Sequence, residues 1–337
     1  MATSVALAIA LAEGVLGLVF HVPLVLRLLP TRSLGVFQQV YLDEVRHVIQ
    51  LEPRFARYDP DLFYTLKPGD FVFENAEYRT AYHVNRAGLR DREDALVKPQ
   101  AIVLGDSFAM GWGVEQDDAF AKVLERQTGM PVLNAGVSSY GTAREFRLLE
   151  RLDTSALRYL IIQYCENDGE ENRAYIKSGY QLAISPPETL QQLFGEHARA
   201  TRYRPGKYLH ETVEDFIDRI KSVPPPPGAD RATTARLDAH QLIEAILHAN
   251  RTPLDRVQLI VFETNQYAEN RPWFAEALRL ERSDPHYPAF IHDMAVLDLS
   301  PVLTRDTYYV LDDHIRPEGH RIIADALARV IRERGAP

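Results

Sequence analysis

The sequence predicts an α/β protein whose main domain is built on an open, mostly parallel sheet. Short apolar runs of strand length recur along the chain, at residues 101–104, 161–164, 257–262 and 295–299. Near the C-terminus, Ile323, Leu327 and Val330 fall on one face of a helix. Polar clusters follow several of the runs, and an open α/β sheet assembles its site at the carboxyl ends of its strands.

The first polar cluster is Gly105-Asp106-Ser107, directly after the run at 101–104. A short buried strand that ends in a tight turn presents one hydroxyl at the rim of the sheet, which is the placement a nucleophilic serine needs. The same tripeptide also makes an ordinary turn or a helix N-cap. It is not the α/β-hydrolase elbow, because Ala109 replaces the required second glycine.

Three further clusters follow in chain order. Residues 134–141 begin with Asn134, residues 165–168 contain Asn167 and Asp168, and Asp312-Asp313-His314 follows a strand-like run at 308–311. Each cluster alone is compatible with a turn or a cap. Together, at predicted strand ends, they favour one assembled site.

In this order the clusters resemble the four blocks of the SGNH/GDSL hydrolase superfamily, which supply a serine, a glycine, an asparagine and an Asp/His pair. The extension of the first block, residues 108–114, is similar to a membrane-associated branch with a Gly-Asp-Ser-Phe block. The resemblance covers about residues 101–330. It implies a three-layer α/β/α, flavodoxin-like sheet.

The resemblance also implies roles for individual residues. Ser107 is expected as the nucleophile, His314 as the general base and Asp312 as the acid that orients the imidazole. The oxyanion hole is expected from the Ser107 N–H, the Ser139 N–H and the Asn167 side-chain amide. Neither a cofactor nor a metal is implied, and His286 and His292 lack a third ligand at suitable spacing.

Two positions depart from the family pattern. Ser139 stands where the second block usually has glycine, so a positive φ there would strain the loop, and Gly136 is the alternative donor. Cys165 replaces the leading glycine of the third block and is expected to be a buried small residue. Asp313, adjacent to the histidine, is expected to reach the imidazole Nδ1 less readily than Asp312.

Residues 5–29 predict a single transmembrane anchor, because the run is nearly continuous and about 20 apolar residues cross a bilayer. No basic residue precedes it, so it is a poor cleavable signal peptide. Glu13 should be neutral or paired there. The alternative is a helix buried against the protein itself. Basic residues after the run favour a cytoplasmic main domain, whereas the resemblance favours a periplasmic or extracytoplasmic one, which is the side we expect.

The expected organisation is an anchor at 1–30, a small β-containing pre-domain at 31–98 and an SGNH hydrolase-like domain at 99–337. Residues 172–255 are expected to form a helical insertion, with helical spacing at 211–220 and 235–249 around a proline run at 224–227. Its tyrosines could line a sugar cleft or a protein contact; they are Tyr175, Tyr180, Tyr203 and Tyr208.

The net charge of −9 and the lack of a Lys/Arg-rich run argue against nucleic-acid binding. The function expected is a membrane-anchored serine esterase or O-acyltransferase acting on a small acyl ester, which the resemblance suggests is carried by a glycan. Two alternatives stay open: a catalytically silent SGNH-fold subunit of a membrane protein complex, and an esterase of lipids at the bilayer surface. The sequence leaves the acyl group, its acceptor and hydrolysis against transfer undecided.

Overall fold

The computed structural model describes residues 2–22, 25, 31–221 and 231–335. Within these ranges, five parallel strands form the main sheet: β5 (Ala101–Leu104), β6 (Val132–Asn134), β7 (Tyr159–Tyr164), β8 (Gln258–Glu263) and β9 (Ala295–Leu297). Their order is β6-β5-β7-β8-β9. This is the flavodoxin-like order 2-1-3-4-5, so the predicted fold class is confirmed.

Helices cover both faces of this sheet because successive side chains of a strand point to opposite faces. The α-helices of the described residues are α1 (Ala2–His21), α2 (Thr31–Val40), α3 (Ser107–Met110), α4 (Phe120–Thr128), α5 (Thr142–Leu149), α6 (Asp168–Lys177), α7 (Pro187–Ala200), α8 (Lys207–Lys221), α9 (Arg231–Ala249), α10 (Pro272–Glu281), α11 (Ala289–His292) and α12 (Pro317–Gly335). Ile102 and Leu104 belong to the apolar core shared with α5, α9 and α10. Ala101 and Val103 belong to the core shared with α4 and α12.

Two antiparallel hairpins precede the main sheet. They pair β1 (Ala56–Asp59) with β2 (Phe63–Leu66), and β3 (Gly69–Asn75) with β4 (Tyr78–Val84). Phe73 and Tyr82 of the second hairpin share an apolar cluster with Met110 and Trp112, just beyond Ser107. The segment between α1 and the main sheet therefore packs directly on the loop that carries the first cluster.

The two helices predicted in the insertion have different surroundings. Leu242, Ile243 and Ile246 of α9 are fully buried in the core of the main sheet. By contrast, α8 contacts α1 and α2. The proline run at 224–227 lies outside the described residues.

Within the part of the chain that is described, Thr3–His21 of α1 is the one helix long and apolar enough to cross a membrane. Leu7 and Leu11 are 63% and 62% exposed. Its C-terminal half packs on the protein, since Val19 and Phe20 are buried with Tyr208. The rest of the predicted 5–29 span lies largely outside the described residues, with only Val22 and Val25 described beyond α1.

Glu13 is paired, as a carboxylate inside an apolar helix requires. It accepts hydrogen bonds from the backbone N–H groups of Tyr208, at 3.3 Å, and Leu209, at 2.9 Å. These groups are the unsatisfied donors at the first turn of α8. The pairing fixes the direction in which α1 leaves the protein.

The prediction of a strand at residues 308–311 was wrong. Tyr308 makes only an isolated antiparallel bridge with Ile315. The N–H groups of Val310, Leu311 and Asp312 donate instead to the Glu77 carboxylate, each at 2.7 Å. A side chain thus satisfies the donors that a neighbouring strand would have taken.

Candidate active site

Ser107 lies at the carboxyl end of β5, where a sharp turn starts α3. Gly105 adopts φ +150°, and a Cβ there would lie 2.5 Å from Gln163 Oε1 and 2.7 Å from Ala109 Cβ. The Asp106 carboxylate accepts the Phe108 N–H at 2.9 Å and so caps α3. The turn therefore depends on glycine and aspartate directly before the serine.

The second cluster follows β6, the strand beside β5. A Cβ on Gly136 would lie 2.4 Å from the Met110 backbone nitrogen, so this glycine permits close approach to α3. The Gly136 N–H, the alternative oxyanion donor, donates to Asn134 Oδ1 at 3.1 Å.

Ser139 adopts φ +58°, the left-handed conformation that the glycine of this block would take without strain. Its Oγ accepts a hydrogen bond from Gln50 Nε2 at 2.9 Å. The Tyr64 hydroxyl donates to the carbonyl of the preceding Ser138 at 2.5 Å. Within the described residues, neither the Ser107 N–H nor the Ser139 N–H has a protein acceptor.

Asn167 follows β7, on the other side of β5. It is exposed and lines a cavity of about 480 Å³ together with Cys165 and Gln266. Cys165 is buried, as expected, and burial raises the pKa of its thiol well above the usual value. A thiol held protonated in this way is a poor nucleophile.

His314 joins the first and last clusters. Its Nε2 lies 2.7 Å from Ser107 Oγ, and its Nδ1 lies 2.6 Å from Asp312 Oδ1. The Trp112 ring stacks on the imidazole at 4.8 Å with an interplanar angle of 15°. The structure therefore brings the expected nucleophile, base and acid into one hydrogen-bonded chain, with the base held by an aromatic face.

Asp313 also reaches the imidazole, contrary to the sequence argument. Its Oδ1 lies 2.8 Å from His314 Nδ1, close to the distance of Asp312. The same oxygen accepts a hydrogen bond from Arg46 Nη1 at 2.7 Å. The turn at 312–314 brings both carboxylates to one nitrogen, which spacing along the chain does not reveal.

These charges control the protonation of the imidazole. Burial alone would lower the pKa of His314, but the carboxylates of Asp313 and Asp312 outweigh it and raise that pKa to about 9. Burial would raise the pKa of Asp313, but the charges of Arg46 and His314 hold it below its ordinary value. The resting site therefore favours an imidazolium between two carboxylates.

Sequence reasoning missed the groups that hold this site from the segment before the sheet. Arg46, Gln50, Tyr64 and Glu77 contact the second and last clusters as described, and the Tyr78 hydroxyl donates to Asp312 Oδ2 at 2.8 Å. Their partners lie tens to hundreds of residues away in the chain. No local pattern marks them, so only the folded structure identifies them.

Two side-chain groups among the described residues have metal-ligand chemistry: the Asp312, Asp313 and His314 set, and a set formed by His47, Glu52 and His197. The protein itself engages both. His47 Nδ1 lies 2.8 Å from Glu52 Oε1, and the Val48 N–H donates to His197 Nε2 at 3.1 Å. We assign no metal-dependent role to either set.

Comparisons with known proteins include weak likenesses to solved structures. No family model and no curated protein matches the sequence. Among solved structures, the chain is similar to a protein from Desulfitobacterium hafniense DCB-2 assigned as lipolytic and of the G-D-S-L family, at 17% identity and a TM-score of 0.34. The likeness covers 68% of this chain and 99% of that one. The fold class rests on the strand order and layers described above.

The backbone at Ser139 gives a testable prediction. Ser139→Gly and Ser139→Ala both remove the oxygen that Gln50 contacts, and they differ only in the Cβ. Because a Cβ in the left-handed region costs about 1–2 kcal/mol, the glycine variant should be more stable by about 1 kcal/mol. Urea unfolding of the two variants measures this difference. An alanine variant as stable as the glycine variant would contradict the positive φ.

Proposed function

We propose that the protein is a serine esterase or O-acyltransferase of the SGNH type, held to a membrane by α1. The observation that carries the proposal is the chain Ser107 Oγ, His314 Nε2, His314 Nδ1 and Asp312 Oδ1, with contacts of 2.7 and 2.6 Å. It lies at the carboxyl edge of a flavodoxin-like sheet, where α/β proteins bind ligands.

The proposed reaction is acyl transfer in two steps. Ser107 Oγ attacks the ester carbonyl carbon while neutral His314 takes the hydroxyl proton at Nε2. The oxyanion is stabilised by the Ser107 and Ser139 N–H groups and the Asn167 amide. The C–O bond to the leaving alcohol then breaks, and His314 returns the proton to that alcohol.

The acyl-Ser107 ester is released by the reverse sequence. His314 removes a proton from water in an esterase, or from an acceptor alcohol in a transferase, and the resulting oxygen attacks the acyl carbonyl. The proton goes back to Ser107 Oγ as its bond to the acyl carbon breaks. No redox partner is needed in either case.

The tyrosines of residues 172–255 are divided between two cavities. Tyr175 and Tyr180 line one of about 330 Å³, and Tyr203 and Tyr208 line a groove of about 730 Å³ against α1. Residues of α1, including Ala10 and Glu13, form its other side. Neither cavity is lined by Ser107 or His314, so neither one decides between a small acyl ester of a glycan and a lipid ester.

The nucleophile is tested with a fluorophosphonate probe on the purified full-length protein. We expect wild-type labelling, and labelling rates below about one thousandth of it in Ser107→Ala and His314→Ala, since the triad acts as a unit. Ser155→Ala, at an exposed serine, is the matched control and should label like wild type. A folded wild type that does not label would favour the silent-subunit alternative.

The anchor is tested by flotation with phospholipid vesicles. The full-length protein should rise with the vesicles. The double variant Leu7→Asp and Leu11→Asp should stay in the dense fraction, because each buried charge costs about 2.5–3.5 kcal/mol in a membrane helix. Leu280→Asp changes an equally exposed leucine on α10, at 64% exposure, and should float. A wild-type protein that remains in the dense fraction would contradict anchoring by α1.

A further inference from the structure

Two carboxylates face a single imidazole nitrogen in this site. Asp312 Oδ1 and Asp313 Oδ1 lie 2.6 and 2.8 Å from His314 Nδ1. That nitrogen carries one N–H and donates a full hydrogen bond to one acceptor at a time. One acid is therefore enough to hold the tautomer, and the second calls for a separate explanation.

The partners of the two acids differ in kind. Asp312 accepts hydrogen bonds from the Tyr78 hydroxyl at 2.8 Å, the Trp112 Nε1 at 3.3 Å and the His314 N–H at 3.2 Å. These neutral donors fix its position without changing its charge. Asp313 is instead paired with a cation, the guanidinium of Arg46, at 2.7 Å.

Arg46 lies outside the five strands of the main sheet and outside the α-helices that cover it. It follows α2 in the chain, and its side chain is 16% exposed. Its guanidinium carbon lies 5.7 Å from the centre of the Trp112 ring, which itself stacks on His314. Arg46 Nη1 lies 3.9 Å from Asp312 Oδ1, which is farther than its 2.7 Å from Asp313 Oδ1.

We propose that Arg46 and Asp313 form a positioning pair that sets the protonation state of His314, while Asp312 alone orients the imidazole. The proposal rests on the proposed function, because it assigns a regulator to the same base. Asp313 stabilises the imidazolium, and Arg46 limits that effect by balancing the carboxylate. The pair thus adjusts the pH at which the base becomes neutral and able to accept the Ser107 proton.

The charge balance around the imidazole supports this reading. The carboxylates raise the pKa of His314 to about 9 in spite of its burial. The other titratable groups packed around the ring and its acids include Asp106, whose pKa burial raises to about 6, and Tyr41, Glu77, Tyr78, Tyr267, Tyr309 and the buried His320. Among all these described groups, Arg46 is the cation in direct contact with either acid.

The expected pH dependence follows from the sign of each change. A general base works when neutral, so the labelling rate of Ser107 should rise about tenfold per pH unit and level off near pH 9 in the wild type. Asp313→Asn removes an anion and should move this midpoint down by about one unit or more. Arg46→Gln removes the balancing cation and should move it up. Arg46→Lys should restore the wild-type midpoint.

The decisive experiment measures the titration of His314 directly in the full-length protein. Histidine-selective ¹⁵N NMR, with His314→Gln to assign the signal, gives the midpoint whether or not the serine reacts. Fluorophosphonate labelling against pH is run on the same variants. Titration midpoints of His314 that move in opposite directions in Asp313→Asn and Arg46→Gln support the proposed role of the pair. A midpoint unchanged in both variants overturns it, even if wild-type labelling succeeds.

The labelling rate at high pH, where His314 is neutral, separates the role of Asp313 from that of Asp312. Asp312→Asn should lower the plateau by about 10⁴-fold, as loss of the orienting acid does, whereas Asp313→Asn should keep it within about tenfold. An equal loss in both variants would contradict the division of roles. If Asp313→Asn fails to fold with Arg46 unpaired, the double variant Arg46→Gln and Asp313→Asn removes both charges. Its midpoint should lie below that of Arg46→Gln alone.

Discussion

The site depends on one carboxylate that lies outside it. Glu77, in the turn between β3 and β4, accepts the N–H groups of Val310, Leu311 and Asp312, each at 2.7 Å. Burial raises the pKa of Glu77 above its ordinary value, and those three donors oppose that rise. Each donor left unsatisfied in the interior would cost about 1–3 kcal/mol. This contact therefore holds the turn that aims His314 at Ser107.

The same turn is also held by contacts with α1, α8 and the segment that follows α2. Leu311 lies in one apolar cluster with Phe20 of α1, Tyr41 and Tyr208. Gln38 donates to the Val310 carbonyl at 2.7 Å. The residue before Asp312 thus packs on the base of the helix proposed to enter the membrane. A change in the packing of α1 is therefore expected to shift the turn at 312–314.

The sequence was sufficient for the parallel sheet and for the place of Ser107 at the end of a strand. Both follow from local rules, since apolar runs mark buried strands and parallel strands present their carboxyl ends at one edge. Asp312 and His314 were identified through the family resemblance, because the strand expected before them does not form. The glycine-like place of Ser139 raised the question of a left-handed backbone there, and the structure has one. In each case the information lies within a few residues of the feature.

The rest could not be predicted because it depends on contacts between distant segments. Asp313 meets His314 through the shape of a turn, and that shape is set by Glu77, more than 200 residues earlier. Gln50 reaches Ser139 from a short helical turn between α2 and β1 that carries no catalytic motif. The strand expected at 308–311 failed for the same reason, since a side chain took its hydrogen bonds.

The most direct test of this account is the labelling rate of Ser107 in Glu77→Gln, with thermal unfolding measured alongside. Glutamine offers one acceptor where the carboxylate offers two, and a displacement of about 1 Å in a catalytic group can cost about 100-fold in rate. We expect labelling to fall tenfold or more in a protein that still folds. Glu74→Gln, at an exposed glutamate of the same hairpin, should label normally. Wild-type labelling in Glu77→Gln would contradict the claim that this carboxylate assembles the site.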